Sequence, residues 1–191
     1  YQRMDSSIGG VNMYLQGAIG GWVQPEHEEK SFRQAFYRGR QLADAVLESW
    51  HGKKNLEQHT LRFASVRISL PVENMGFRQL AAAGVIRRQI SDVVGSEIAA
   101  FRIGEAWFAT HPGETVPAMS FETKNMMKTS GPKFIIGLGM DGLGYILKPS
   151  FFDSSRNIPH SKYLCSMSLG EKTWQEISVN LQTILTELRA K

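Results

Sequence analysis

The sequence predicts an α/β fold, a mixed sheet layered with amphipathic helices, and three observations carry that expectation. Short apolar runs of strand character recur at residues 61–70, 99–103, 106–110 and 133–138. Between and after them lie segments whose apolar residues repeat at helical spacing. No internal repeat or low-complexity linker interrupts the 191 residues, so the elements are expected to form one layered domain without an internal boundary.

Taken in order, residues 11–15 read as a strand that opens into a loop containing Gly17, Gly20 and Gly21, where backbone can approach backbone or ligand closely. Phe32, Phe36, Leu42, Ala43, Val46, Leu47 and Trp50 then mark an amphipathic helix, with Glu28 and Glu29 before its first turn. Its aromatic stripe is expected to pack in the core against a sheet. Residues 61–70 alternate as a strand ending at Pro71, and a change of phase at Ala64-Ser65 suggests a bulge. A short helix is expected over 74–83, closing at Gly84, while 85–95 give no clear signal. Gly104-Glu105 joins two strands as a hairpin, and the second strand runs into His111-Pro112-Gly113-Glu114. Residues 115–128 read as a helix with Pro117 in its first turn. A strand over 133–138 then ends in Gly137, Gly139, Gly142 and Gly144 before Tyr145. If these strands are neighbours, Glu114 and Tyr145 meet at the sheet's edge, where α/β enzymes commonly place their chemistry. Trp174, Ile177, Leu181, Ile184, Leu185 and Leu188 mark a terminal helix.

Composition narrows the function classes. With 42% hydrophobic and 21% charged residues the chain supports a real core. One cysteine, Cys165, excludes a disulfide within the chain. The net charge of +4 is scattered, and Lys53-Lys54 and Arg87-Arg88 are too short for a nucleic-acid stripe. No apolar run reaches the length of a membrane span and no signal peptide is recognisable. A start at Tyr1 without an initiator methionine suggests a piece of a longer protein.

Among motifs, Gly137 to Gly142 matches G-x-G-x-x-G after a strand. The segment that follows is extended and broken by Pro149, and no acidic residue stands where a ribose partner belongs, which excludes a dinucleotide site. The Walker lysine, G-x-S-x-G and H-E-x-x-H are absent. Cys165 reads as a small buried side chain. His27, His51 and His59 lie in polar segments, whereas His111 and His160 sit in proline-containing loops and suit structural hydrogen bonds better than metal binding. Glu114, in a Pro-Gly turn at a strand end, is either the cap of the next helix or a ligand or base.

Three of these segments resemble the neutral/alkaline, non-lysosomal ceramidase family of zinc amidases. Arg102-Ile103-Gly104 through Pro112-Gly113-Glu114 is similar to the family's strand pair ending in a glutamate zinc ligand. Gly137 through Tyr145 to Pro149 resembles its glycine-rich segment, whose tyrosine is also a zinc ligand. Tyr163, followed by Leu-Cys-Ser-Met-Ser-Leu-Gly, resembles a tyrosine that stabilises the transition state. The resemblance implies that the chain is the later, C-terminal part of a catalytic domain of a zinc-dependent amide or ester hydrolase. It implies Glu114 and Tyr145 as metal ligands, Tyr163 or failing it His160 as oxyanion donor, and further zinc ligands from an upstream segment. Gly20, Gly21 and Gln24 would line the cleft for a small-molecule or lipid-like substrate, and the resemblance favours a periplasmic or secreted location. Gln24 stands where the family carries its essential serine, and a glutamine amide hydrogen-bonds but is no comparable nucleophile. A non-catalytic binding or structural module that has lost the serine is the alternative.

Overall fold

The computed structural model describes residues 1–21, 26, 28–54 and 60–190. It has the expected α/β class with a mixed sheet. The chain divides into two compact units, and all strands fall within the second.

The first unit holds α1 (Gln2–Ile8), which the sequence reading did not anticipate, and α2 (Phe32–Trp50). Ser31 caps α2 by accepting a hydrogen bond from the Gln34 amide at 3.1 Å. Arg3 pairs with Asp44, and Asn12 Nδ2 donates to Asp5 at 2.7 Å. Two expectations fail here. Residues 11–15 form no strand: Val11, Met13, Tyr14 and Leu15 are exposed, with no partner ladder among the described residues to satisfy an extended backbone. The stripe of α2 is not core either, since Phe32, Phe36, Leu42, Val46 and Trp50 are exposed and only Ala43 is buried.

The second unit is built on a four-stranded sheet of order β1-β2-β3-β5, from β1 (Leu61–Pro71), β2 (Val93–Ile103), β3 (Ala106–His111) and β5 (Lys133–Gly137). β1 and β2 pair antiparallel without interruption from Leu61↔Ile103 to Pro71↔Val93. The expected bulge at Ala64-Ser65 is therefore absent. Leu61 and Phe63 lie on one face of a regular strand, and Ala64, Ile68 and Leu70 are buried on the other. The Gly104-Glu105 hairpin forms as expected, with Gly104 at φ 57, and β3 then pairs parallel with β5.

One face of the sheet is covered by helix. The buried stripe of α6 (Thr173–Ala190), Trp174, Ile177, Leu181, Ile184, Leu185 and Leu188, lies over β1 and β2 and meets Ile68, Leu70, Val94 and Ile98 in one core. Each such fully buried aliphatic side chain contributes about 2 kcal/mol. α4 (Pro117–Met126) starts with proline in its first turn, two residues later than the sequence suggested, because Glu114 and Thr115 are taken into strand β4. α3 (Met75–Ala82) is capped by Asn74, and α5 (Ser161–Ser166) precedes α6.

Candidate functional site

Backbone hydrogen bonding threads four distant segments into one layer. β4 (Glu114–Thr115) and β6 (Tyr145–Ile146) form a separate two-stranded parallel sheet in which Glu114 is the register partner of Tyr145. The two residues thus meet as expected, although beside the main sheet rather than at its edge. The Glu114 amide donates to the Gly144 carbonyl at 2.9 Å, and the Tyr145 amide donates to Met167 O at 2.9 Å. On the other side, the Gly20 amide donates to Thr115 O at 2.9 Å.

Glycines make this layer possible. A Cβ on Gly20 would stand 2.6 Å from the Glu114 carbonyl oxygen, and one on Gly113 would stand 2.5 Å from that of Gly144. Gly21 packs against the Pro117 ring, 3.1 Å from where its own Cβ would be. Gly20 and Gly21 therefore support the Glu114 strand directly; Gln24, the third residue assigned to the cleft, lies outside the described residues, as do His27 and His59.

The side chains converge as well. Tyr145 and Tyr163 meet edge to face with ring centroids 6.1 Å apart. The Tyr145 phenol is pushed above its ordinary range by burial first, then by the Glu114 charge, by Tyr163 and by hydrogen bonding with Glu114. The phenol is accordingly neutral near pH 7, the form that the neighbouring Glu114 favours. Glu114 does not cap α4, whose N-cap is Val116 without a side-chain cap. His160 is the exposed N-cap residue of α5, at φ 60, on the helix end that carries Tyr163 rather than on the Glu114–Tyr145 strand pair.

His111 is explained by its surroundings. It is fully buried, its Nδ1 lies 2.8 Å from Thr115 Oγ1 and its Nε2 lies 2.9 Å from Thr123 Oγ1. Thr123 spends its only hydroxyl proton on the Met119 carbonyl, 3.1 Å away, so the imidazole must donate from Nε2 and accept Thr115 at Nδ1. Both ring nitrogens are thereby used, and no lone pair is left for a metal. Burial pushes the His111 pKa down from 6.5 to about 4. A depressed histidine is neutral in the fold and protonates more readily unfolded. Its stabilisation is thus complete above pH 6.5 and is lost as pH falls from 6.5 to about 4. The loss expected over that window is about 3 kcal/mol. Denaturant titrations at both pH values on the wild type and His111→Gln check this: the variant should lose much of the slope, and parallel curves would disprove it.

Asp141 holds the glycine-rich loop, a role that sequence reading missed. Its carboxylate accepts both ends of the Arg88 guanidinium at 2.7 and 2.8 Å, the Ser96 hydroxyl at 2.6 Å and the Gly142 amide at 2.8 Å. Burial raises its pKa, but the Arg88 and Ser96 hydrogen bonds, the Gly142 amide and the Arg88 charge outweigh burial and hold the carboxyl below its usual range. The anchored loop contains two non-glycine residues with positive φ, Leu138 at 53° and Met140 at 73°, a strain of the kind that persists when surroundings over-determine the backbone. The amides of Leu138, Gly139 and Leu143 donate to the carbonyls of Gly113, His111 and Pro112, so this loop and the Glu114 turn are held as one body. Asp141→Asn, which breaks a partly buried ion pair, is expected to cost about 2 kcal/mol. An unchanged denaturation midpoint would show that the anchor contributes nothing. Asn74 plays a similar part on the other flank: its Nδ2 donates to Ser166 O and Ser168 O at 2.9 and 2.8 Å, fixing the segment on which the Tyr145 amide rests.

Among the described residues, no group of three or more His, Cys, Asp or Glu side chains is placed to hold a metal ion. Glu114 and Tyr145 offer a carboxylate and a phenol oxygen, which suit zinc as part of a ligand set of at least three protein donors. The residues after Gly142 run into β6 rather than opening a helix. Cys165 Sγ contacts the Phe151 carbonyl at 3.4 Å and its pKa is raised by burial, the opposite of an activated nucleophile. His51 is exposed beyond the end of α2. No helix of the described residues is long and apolar enough to cross a membrane. Comparison with known proteins found no matching family model and no matching curated protein.

Proposed function

We propose that the chain is the C-terminal part of a ceramidase-like zinc-dependent hydrolase that cleaves an amide or ester bond, with lipid-like substrates the first class to screen. The observation that supports it is the convergence of Glu114, Tyr145 and Tyr163 from three separate segments on one strand pair. Glu114 and Tyr145 hold the metal together with donors from an upstream segment. A zinc ion held there would supply Lewis-acid polarisation of the scissile carbonyl and a water of lowered pKa.

The chain's own residues have distinct tasks. Glu114 favours the neutral phenol of Tyr145, and the phenolate would be the form that ligates a metal. Tyr163 is half exposed and donates its hydroxyl to the developing oxyanion, with His160 the alternative donor. Gly20 and Gly21, which support the Glu114 strand, would bind substrate beside it, and the glutamine at position 24 has an amide that can hydrogen-bond a substrate but not attack it.

A metal titration tests this. Adding zinc to metal-free full-length protein near neutral pH should release about one proton per metal and raise tyrosinate absorbance. Tyr145→Phe should abolish the absorbance change. Absence of any signal in the wild type would overturn the proposal and favour the alternative that Gln24 suggests, a binding or structural module that has lost the family's serine.

A further inference from the structure

The Arg87-Arg88 pair, too short for a nucleic-acid stripe, lines a cleft. Open to solvent and about 820 Å³ in volume, it lies between the end of α3 and the first residues of β2, with Arg87, Arg88, Gln89, Ser91, Val93 and Gly95 on its wall. The two arginines differ. Arg88 is engaged, since its guanidinium holds both Asp141 oxygens at 2.7 and 2.8 Å and also donates to the Gly95 carbonyl. Arg87 is exposed and makes no ion pair or hydrogen bond among the described residues. The other charges around the cleft cancel. Arg88 neutralises Asp141, Arg78 pairs with Asp92 at 2.7 Å, and Arg67 stands opposite Glu97 as its register partner across β1 and β2. Arg87 is thus the excess charge. Donors are free as well: the main-chain amides of Arg87, Arg88, Gln89 and Ile90 have no acceptor among the described residues, and Ser91 Oγ reaches Val93 O only at 3.5 Å. Carbonyls at the end of α3 would repel an anion, but Ala81 O accepts the Gly84 amide and Leu80 O accepts those of Val85 and Ile86.

We infer that this cleft binds a phosphate group carried by a small soluble molecule, with Arg87 as its principal contact. A free guanidinium meets a phosphate with two parallel hydrogen bonds, a match that lysine does not offer. The Gln89 amide, the Ser91 hydroxyl and the free main-chain amides supply further donors on the same wall. Donors of several kinds suit a tetrahedral oxyanion better than the two oxygens of a carboxylate. The cleft is larger than a bare phosphate needs and falls within the range of small-molecule sites, roughly 300–1,000 Å³. An organic portion of the ligand therefore has room along Val93 and Gly95. This site needs neither the metal nor the hydrolase chemistry proposed above. A ligand held only by the folded cleft also stabilises the fold, which gives a second readout.

Arginine modification of the full-length protein with phenylglyoxal, mapped by peptide mass spectrometry, tests this with inorganic phosphate as the probe. Arg33, whose side chain is 87% exposed, is the internal reference. A dissociation constant on the order of 1 mM leaves about a tenth of the clefts free at ~10 mM phosphate, so Arg87 should react about tenfold more slowly while Arg33 is unaffected. The same phosphate should raise the denaturation midpoint of the wild type. Arg87→Gln, an exposed change that leaves Arg88 on Asp141, should fold normally and lose that rise. An Arg87 rate unchanged by phosphate overturns the inference, and so does a midpoint rise retained in Arg87→Gln. Equal slowing of Arg33, or equal slowing by chloride at matched ionic strength, also overturns it, because general screening then explains the effect. Protection given by phosphatidic acid vesicles but not by free phosphate overturns the soluble ligand in favour of a membrane headgroup.

Discussion

Gly144→Ala is expected to remove about 3 kcal/mol of stability, because it combines a left-handed backbone with a backbone oxygen in the path of the new methyl. Gly144 sits at φ 78, in the left-handed region that costs an alanine on the order of 1 kcal/mol. The new Cβ would lie 2.3 Å from the Met167 carbonyl oxygen, the group that accepts the Tyr145 amide. A backbone oxygen cannot swing aside as a flexible side chain does, so either the Tyr145 strand or the segment after α5 must shift. Met167 O is one bond from the chain that leads back to Tyr163, and a shift there separates the two rings now 6.1 Å apart. Chemical denaturation gives the stability loss, and a midpoint within error of the wild type would show that the backbone layer is not as tight as described.

If the proposed hydrolase function holds, Glu114→Ala is expected to have the largest effect on activity, a fall in kcat/KM on the order of a thousandfold or more, because the proposed metal ligand is lost. Its effect on stability should be below about 1 kcal/mol, since the side chain is not fully buried and the backbone bond to Gly144 survives the change. That contrast with Gly144→Ala matters: one substitution removes chemistry and spares the fold, and the other distorts the fold around intact side chains. Retained hydrolysis in Glu114→Ala would remove the carboxylate from the mechanism.

How much of this was legible in the sequence depended on the range of each signal. The buried stripe of α6 and the Gly104-Glu105 hairpin follow from local periodicity and turn chemistry, and both form as read. The meeting of Glu114 and Tyr145 followed from placing two glycine-bearing turns at the ends of neighbouring strands, and β3 and β5 are neighbours. The supposed bulge arose because Leu61 and Phe63 are apolar on the outer face, where alternation alone predicts polar residues. The stripe of α2 has helical spacing without burial, since periodicity specifies a face but not what lies against it. Asp141 could not be read at all: its partner Arg88 is 53 residues away, and only the fold brings the guanidinium to the loop.

Zinc content per molecule of the longest natural form is the most direct test of the proposed hydrolase. About one zinc per chain, lost in Glu114→Ala and weakened in Tyr145→Phe, is the expected result. A protein that purifies without zinc, takes none up from a stoichiometric supply and behaves identically in both variants would contradict it.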